Sequence, residues 1–128
     1  MKESDKIGLV VDDMFFAAKI LGAAETAGRR VERIKSREQL ENEMISDPPA
    51  LLIVDLNSNA LDAIETIEFC RSRPELNKVP ILGFFSHVQV ALKHSAEEAG
   101  CDLVMPRSQF TQKLNEIVSG DFEIKPRR

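Results

Sequence analysis

The stretch LLIVDLNSN, residues 51–59, decides how this chain is read. Leu51, Leu52, Ile53 and Val54 run without a polar break into Asp55, and Asn57 and Asn59 follow. A run that is apolar at every position suits a strand covered on both faces, as the central strands of a parallel sheet are. A strand with one wet face would alternate instead. The carboxylate at the end of the run then has two readings: it caps whatever follows, or it is the centre of a site.

Short apolar runs, less continuous at 31–34, recur at residues 7–11, 31–34, 81–85 and 103–105, and each leads into a segment with helical spacing. Alternating strand and helix patterns imply a parallel sheet with helices on both faces. The first helix carries a stripe of Phe16, Ile20, Ala23 and Ala27, with Gly28 where a left-handed cap is expected. Ser36 and Gln39 form a capping box ahead of Leu40 and Met44, and Asp47, Pro48 and Pro49 stop that helix. Ile64, Ile67 and Cys70 make a third stripe ending near Pro74. Val88, Leu92, Ser95 and Ala99 make a fourth ending at Gly100, and Phe110, Leu114 and Ile117 a fifth with Gly120 beyond. Neither a repeat nor a linker interrupts the pattern, so the expectation is one (βα)5 unit over residues 1–128, with a core of 6–120 and a tail of 121–128.

A chain of 128 residues can bury roughly two-thirds of its unfolded surface around one core. Its 43% hydrophobic and 30% charged content is that of an ordinary globular protein. A net charge of -4 argues against a nucleic-acid surface, which needs a dense basic patch. The one basic cluster, IKPRR at residues 124–128, reads as a solvated terminus or the start of a linker. The N-terminal apolar run is too short for a signal peptide, and no run approaches the ~20 residues of a membrane span. A cytoplasmic protein without membrane contact is expected. Cys70 and Cys101 lie in no CxxC pattern and near no pair of histidines, so reduced, buried thiols are expected.

Open parallel sheets bind ligands beyond the carboxyl ends of their strands. There the sequence places Asp12 and Asp13 after the first strand, Asp55 after the third, Ser86 and His87 after the fourth, and Arg107 after the fifth. Two carboxylates ~5 Å apart repel by about 3 kcal/mol at an effective dielectric of ~20, so three ionised together need a compensating cation. Oxygen donors of this hardness suit Mg2+. Each acid taken alone is equally well explained as a helix N-cap; three converging on one edge favour a site.

With these residues in view, the chain resembles the receiver domain of two-component response regulators over residues 6–120. The resemblance rests on the apolar strand leading into Asp12 and Asp13, the strand LLIVD ending at Asp55, the strand after Pro80, and AGCD at residues 99–102. It implies a flavodoxin-like, doubly wound fold with strand order 2-1-3-4-5. It further implies that Asp55 is the phosphoacceptor, and that Asp12, Asp13, Asp55 and the backbone carbonyl of Asn57 hold Mg2+. The implied partners are a histidine kinase or phosphotransfer protein, whose phosphohistidine donates to Asp55, and a downstream protein target. Such a domain is a phosphoacceptor, not a turnover enzyme.

The chain departs from the family at several positions. After Asp55 it reads LNSNALDA, keeping Asp62 but placing Ala63 where the family has glycine. Phe85 falls at the family's hydroxyl position and Ser86 at the small-residue position, and period-2 alternation points Ser86 away from Phe85 unless a bulge re-aims it. Arg107 replaces the family's lysine, with Pro106 before it rather than proline after it. Ser86 and Arg107 are the candidate phosphoryl contacts. A cis bond before a non-proline residue costs about 2.5–4 kcal/mol, so if the family's cis turn is kept, the bond from Met105 to Pro106 is its place. Val104 stands where the family's switch aromatic sits. His87 and His94 have no acidic partner at ligand spacing and read as exposed or capping residues.

Two alternatives stand beside the phosphoacceptor reading. One is a degenerate receiver acting as a phosphorylation-independent interaction module, or as a homodimer through its fourth helix and fifth strand. The other is a small flavodoxin-like enzyme or cofactor carrier, which lacks support because no glycine-rich phosphate loop and no nucleophile beside a histidine is present.

Overall fold

The apolar runs form parallel strands close to where their composition puts them. The computed structural model describes residues 5–86 and 89–126. In chain order the elements are β1 (Lys6–Val10), α1 (Met14–Thr26), β2 (Arg30–Arg33), α2 (Arg37–Ser46), β3 (Leu51–Asp55), α3 (Ala63–Ser72), β4 (Ile81–Phe85), α4 (Val90–Ala99), β5 (Leu103–Pro106) and α5 (Arg107–Ser119). The sheet order is β2-β1-β3-β4-β5, and every pairing is parallel.

β3 is central, with Ile53 opposite Leu9 of β1 and Asp55 opposite Phe84 of β4. All five of its residues are buried, at about 1.5–3 kcal/mol for each aliphatic side chain removed from water. Alternate residues serve two separate cores. Ile7, Leu9, Ile53, Leu82, Phe84 and Met105 face α1 and α5; Val10, Leu52, Val54 and Ile81 face α2, α3 and α4.

The α5 stripe of Phe110, Leu114 and Ile117 is buried as its spacing implies. Elsewhere the stripes shift. α1 buries Phe16, Ala17, Ile20 and Ala24, while Ala23 is half-buried and Ala27 exposed. The helix packs on both the sheet and α5, so its buried band is wider than one stripe, and the 3.6-residue period carries it to Ala24. In α3, Ile67 and Cys70 are buried as expected, but Ile64 is half-buried and Thr66 takes an inner position, its hydroxyl donating to the Asp62 carbonyl at 2.7 Å. In α4 the buried residue is Ala96; Ser95 is exposed and Leu92 and Ala99 are half-buried. Val88 of the expected stripe, like His87, lies outside the described residues.

Ser36 Oγ accepts the Gln39 amide at 3.1 Å, but Gln39 Oε1 accepts from Lys35 rather than from Ser36, so the capping box is displaced by one residue. Gly28, Gly100 and Gly120 hold positive φ just past their helices, the conformation that only glycine adopts cheaply. Ile124 is not a solvated tail residue: it and Phe122 pack against the α1 and α5 core, while Lys125 and Pro126 are exposed. No cis peptide bond occurs among the described residues, so the turn into α5 passes through a trans bond before Pro106. Cys70 and Cys101 are free and buried, and burial pushes both thiols up to about 11. Among the described residues, no helix is long and apolar enough to cross a membrane.

A clamp joins the lower ends of the elements. Arg71 pairs with Asp102 at 2.7 Å and donates to the carbonyls of Gly100, Asn77 and Val79. Asp102 also accepts the Ile81 amide at 2.9 Å. One guanidinium and one carboxylate thus tie α3 and the α4 terminus to the starts of β4 and β5.

Candidate functional site

Parallel strands deliver their exits to one edge, and there the candidate residues meet. Asp55 ends β3 and is only 8% exposed. Its Oδ1 accepts the Asn57 amide at 2.9 Å, and the turn closes through Ser58 N–H donating to the Asp55 carbonyl at 3.0 Å. Asn57 also accepts the Ser86 amide on its Oδ1 at 2.8 Å, joining the exits of β3 and β4. Among the described residues no hydrogen bond ends on Asp55 Oδ2.

The acidic pair is divided between two duties. Asp12 receives Ser58 Oγ at 2.9 Å on Oδ1, and the amides of Asn59 and Ala60 at 2.6 and 3.2 Å on Oδ2, so it fixes the loop between β3 and α3. Asp13 is the N-cap of α1, its Oδ1 accepting the Phe15 and Phe16 amides. Its Oδ2 lies 3.4 Å from the Arg107 guanidinium. Asp55 is not a cap; Asp62 caps α3 instead, accepting the Glu65 amide at 2.9 Å.

Arg107 rests on the Phe16 ring, 3.8 Å from its centroid. Beneath it, Phe84 stacks on Phe110 at 4.8 Å and meets Phe16 edge-on at 5.3 Å. The part of Phe16 in this arrangement has no signature in the sequence, where it reads only as a core residue. Asp12's loop partners are equally silent, because they depend on the turn that follows β3.

The other candidates are placed as follows. Ser86 is exposed and tethered by its amide, and among the described residues its hydroxyl makes no bond to Asp55. Phe85 is half-buried against the α3 and α4 core, as is Val104. His94 is exposed, 4.0 Å from Glu97.

Burial is the main force raising the Asp55 carboxyl above its ordinary range. The Asn57 amide opposes it, the charges of Asp12 and Asp13 add to it, and Arg107 partly offsets them. Asp12 and Asp13 are lowered. Burial pushes Asp12 up, but its amide and hydroxyl donors outweigh that; Asp13 is held down first by the Phe16 amide and then by Arg107 and Phe15.

A raised carboxyl favours folding in its protonated form. That contribution is complete below the unfolded pKa and is lost as pH rises through the folded one, so ionised Asp55 opposes folding at neutral pH. Asp55→Asn is therefore expected to raise stability at neutral pH by about 1 kcal/mol, seen as a higher melting temperature, by relieving a functional-site conflict. Thermal melts should show the gain shrinking as the pH falls through the carboxylate range.

The donors suit a hard divalent cation: Asp55 Oδ2 is uncommitted, Asp13 Oδ2 is held only at 3.4 Å, and Asn57, with its backbone carbonyl, follows Asp55 by two residues. They are not preassembled, since among the described residues no three His, Cys, Asp or Glu side chains form a metal cluster.

No protein-family model matches this chain, and no curated protein sequence is significantly similar to it. Solved structures are similar in fold. The phosphorylated cyanobacterial phytochrome response regulator RcpA is 20% identical, with a TM-score of 0.75 over 93% of this chain and 91% of that one. The Mn2+-bound response regulator Rcp1 is 20% identical, with a TM-score of 0.66 over 90% of this chain and 89% of its own. The chemotaxis protein CheY4 of Vibrio cholerae is 18% identical, with a TM-score of 0.72 over 88% of this chain and 99% of its own. Five parallel strands in the order β2-β1-β3-β4-β5, with five helices around them, give this chain the flavodoxin-like fold of response regulator receiver domains.

Proposed function

We propose that the chain is one receiver-type unit that accepts a phosphoryl group on Asp55 and signals through protein contacts. The observation that carries this reading is Asp55 itself: buried at the end of the central strand, with Oδ1 held by Asn57, Oδ2 uncommitted, and two acids and a guanidinium around it. The Asn57 amide orients the carboxylate so that Oδ2 can attack phosphorus. The new bond is Asp55 Oδ2 to phosphorus; the bond from phosphorus to the donor's imidazole nitrogen breaks, and the imidazole leaves with that electron pair and takes up a proton. Asp12, Asp13, Asp55 and the Asn57 carbonyl would hold Mg2+, which would supply charge compensation for the incoming phosphoryl oxygens. Arg107 and Ser86 are the side chains proposed to contact those oxygens.

The donor proposed is a histidine kinase or phosphotransfer protein, met in the cytoplasm. Met14 and Phe15, 65% and 91% exposed beside Asp13, offer such a protein an apolar approach to the site. Incubation with acetyl phosphate and Mg2+ is expected to add one phosphoryl group, detected by intact mass, and Asp55→Asn is expected to abolish it. Equal labelling of wild type and Asp55→Asn would sink the reading.

A specific observation favours a second reading, the phosphorylation-independent module or dimer. Phe85 and Val104, at the positions of the family's hydroxyl and ring, are both engaged in the α3 and α4 core. A phosphoryl group at Asp55 would then lack the usual partners through which it is sensed. That reading predicts a target or self-association unaffected by Asp55→Asn.

A further inference from the structure

The Arg107 guanidinium makes two contacts. Its central carbon lies over the Phe16 ring, 3.8 Å from the centroid, and one nitrogen reaches Asp13 Oδ2 at 3.4 Å. Phe16 is 5% exposed and braced by Phe84 and Phe110 at 5.3 and 5.8 Å, so the platform cannot follow the arginine if it leaves. Asp13 has no slack either: Oδ1 holds the first amides of α1, leaving Oδ2 as the only oxygen it can offer.

We infer that Arg107 is a latched internal counter-cation, which competes with a divalent metal for Asp13 and thereby sets the metal affinity of the acid pocket. This rests on the reading of the pocket as a Mg2+ site. An incoming ion must free Asp13 Oδ2 from Arg107 and must also sit near a positive charge that stacking keeps in place. The stacked contact needs the planar fork of arginine; a compact ammonium at the same position would carry the same charge without lying flat on the ring. Position 107 is thus a determinant of metal affinity through geometry as well as charge. It also gives metal entry a structural consequence, because the Arg107–Asp13 contact must open for the site to fill.

Mg2+ affinity measured by calorimetry on the full chain tests this. Arg107→Ala is expected to bind Mg2+ about tenfold tighter than wild type, and Arg107→Lys about threefold tighter, the scale set by a partly exposed ion pair and a cation–π contact. Arg107→Ala binding no tighter than wild type would overturn the latch. Tightening in Arg107→Ala with none in Arg107→Lys would also overturn it, leaving net charge as the whole effect. Asp55→Asn is the control: loss of Mg2+ binding there upholds the site, whereas no binding in any variant would remove the Mg2+ reading itself.

Discussion

Arg71→Ala is expected to cost about 3–5 kcal/mol of folding stability, the range for breaking a buried ion pair by removing one partner. Asp102 is 2% exposed at its side chain and Arg71 11%, so the substitution removes a cation hydrogen-bonded to a buried carboxylate. The Ile81 amide would remain as a donor, but it cannot neutralise the charge. The carbonyls of Gly100, Asn77 and Val79 would lose a donor together. A lysine has three donors on a point rather than a fork spanning the same partners, so Arg71→Lys should recover only part of the loss. Total stabilities of about 5–15 kcal/mol are usual, which makes the change a large fraction of the whole. Urea unfolding should show a lower midpoint with an unchanged slope. A loss below about 1 kcal/mol would mean that the clamp contributes no more than a surface pair.

Phe84→Ala is expected to cost a similar amount, about 3–5 kcal/mol. The ring is fully buried, stacked on Phe110 at 4.8 Å and edge-on to Phe16 at 5.3 Å, so its loss removes the ring that both of the others contact. Phe85→Ala, one residue on, should cost less, because Phe85 is half-buried on the opposite face of the sheet. Phe84 also lies opposite Asp55 in the sheet and supports the ring under Arg107. Its loss should therefore loosen the site, and the pair of unfolding curves for Phe84→Ala and Phe85→Ala checks the assignment of the two faces. Equal losses at both positions would contradict it.

How far the sequence could be read depended on the range of the interactions involved. The continuous run LLIVD could only be a strand covered on both faces, and β3 is that strand, with Asp55 delivered to the edge where Asp12, Asp13 and Arg107 also arrive. Helix faces were legible where large apolar side chains carried the stripe, as in α5. They were misread in α1 and α4, where Ala24 and Ala96 are buried instead of Ala27 and Ser95; an alanine has too little apolar surface to mark a face by itself. The choice between cap and site for the three acids had a mixed outcome that spacing could not convey. Asp13 is a cap, Asp12 holds a loop, and Asp55 keeps an oxygen uncommitted, because each depends on backbone amides whose direction is fixed only after folding. Phe16 under Arg107 and Arg71 against Asp102 were silent for the same reason, since each joins residues from distant elements.

In the proposed function Asp55 is the nucleophile of a metal-assisted phosphoryl acceptor site. Its most direct test is an amide NMR titration of the full chain with Mg2+ and then with beryllofluoride, a mimic of the aspartyl phosphate. The predicted result is a saturable Mg2+ response at Asp12, Asp13 and Asn57, followed on beryllofluoride addition by new shifts at Asn57, Ser86 and Arg107, all absent in Asp55→Asn. Saturation with Mg2+ and beryllofluoride that leaves these amides unmoved, or moves them equally in Asp55→Asn, would contradict it.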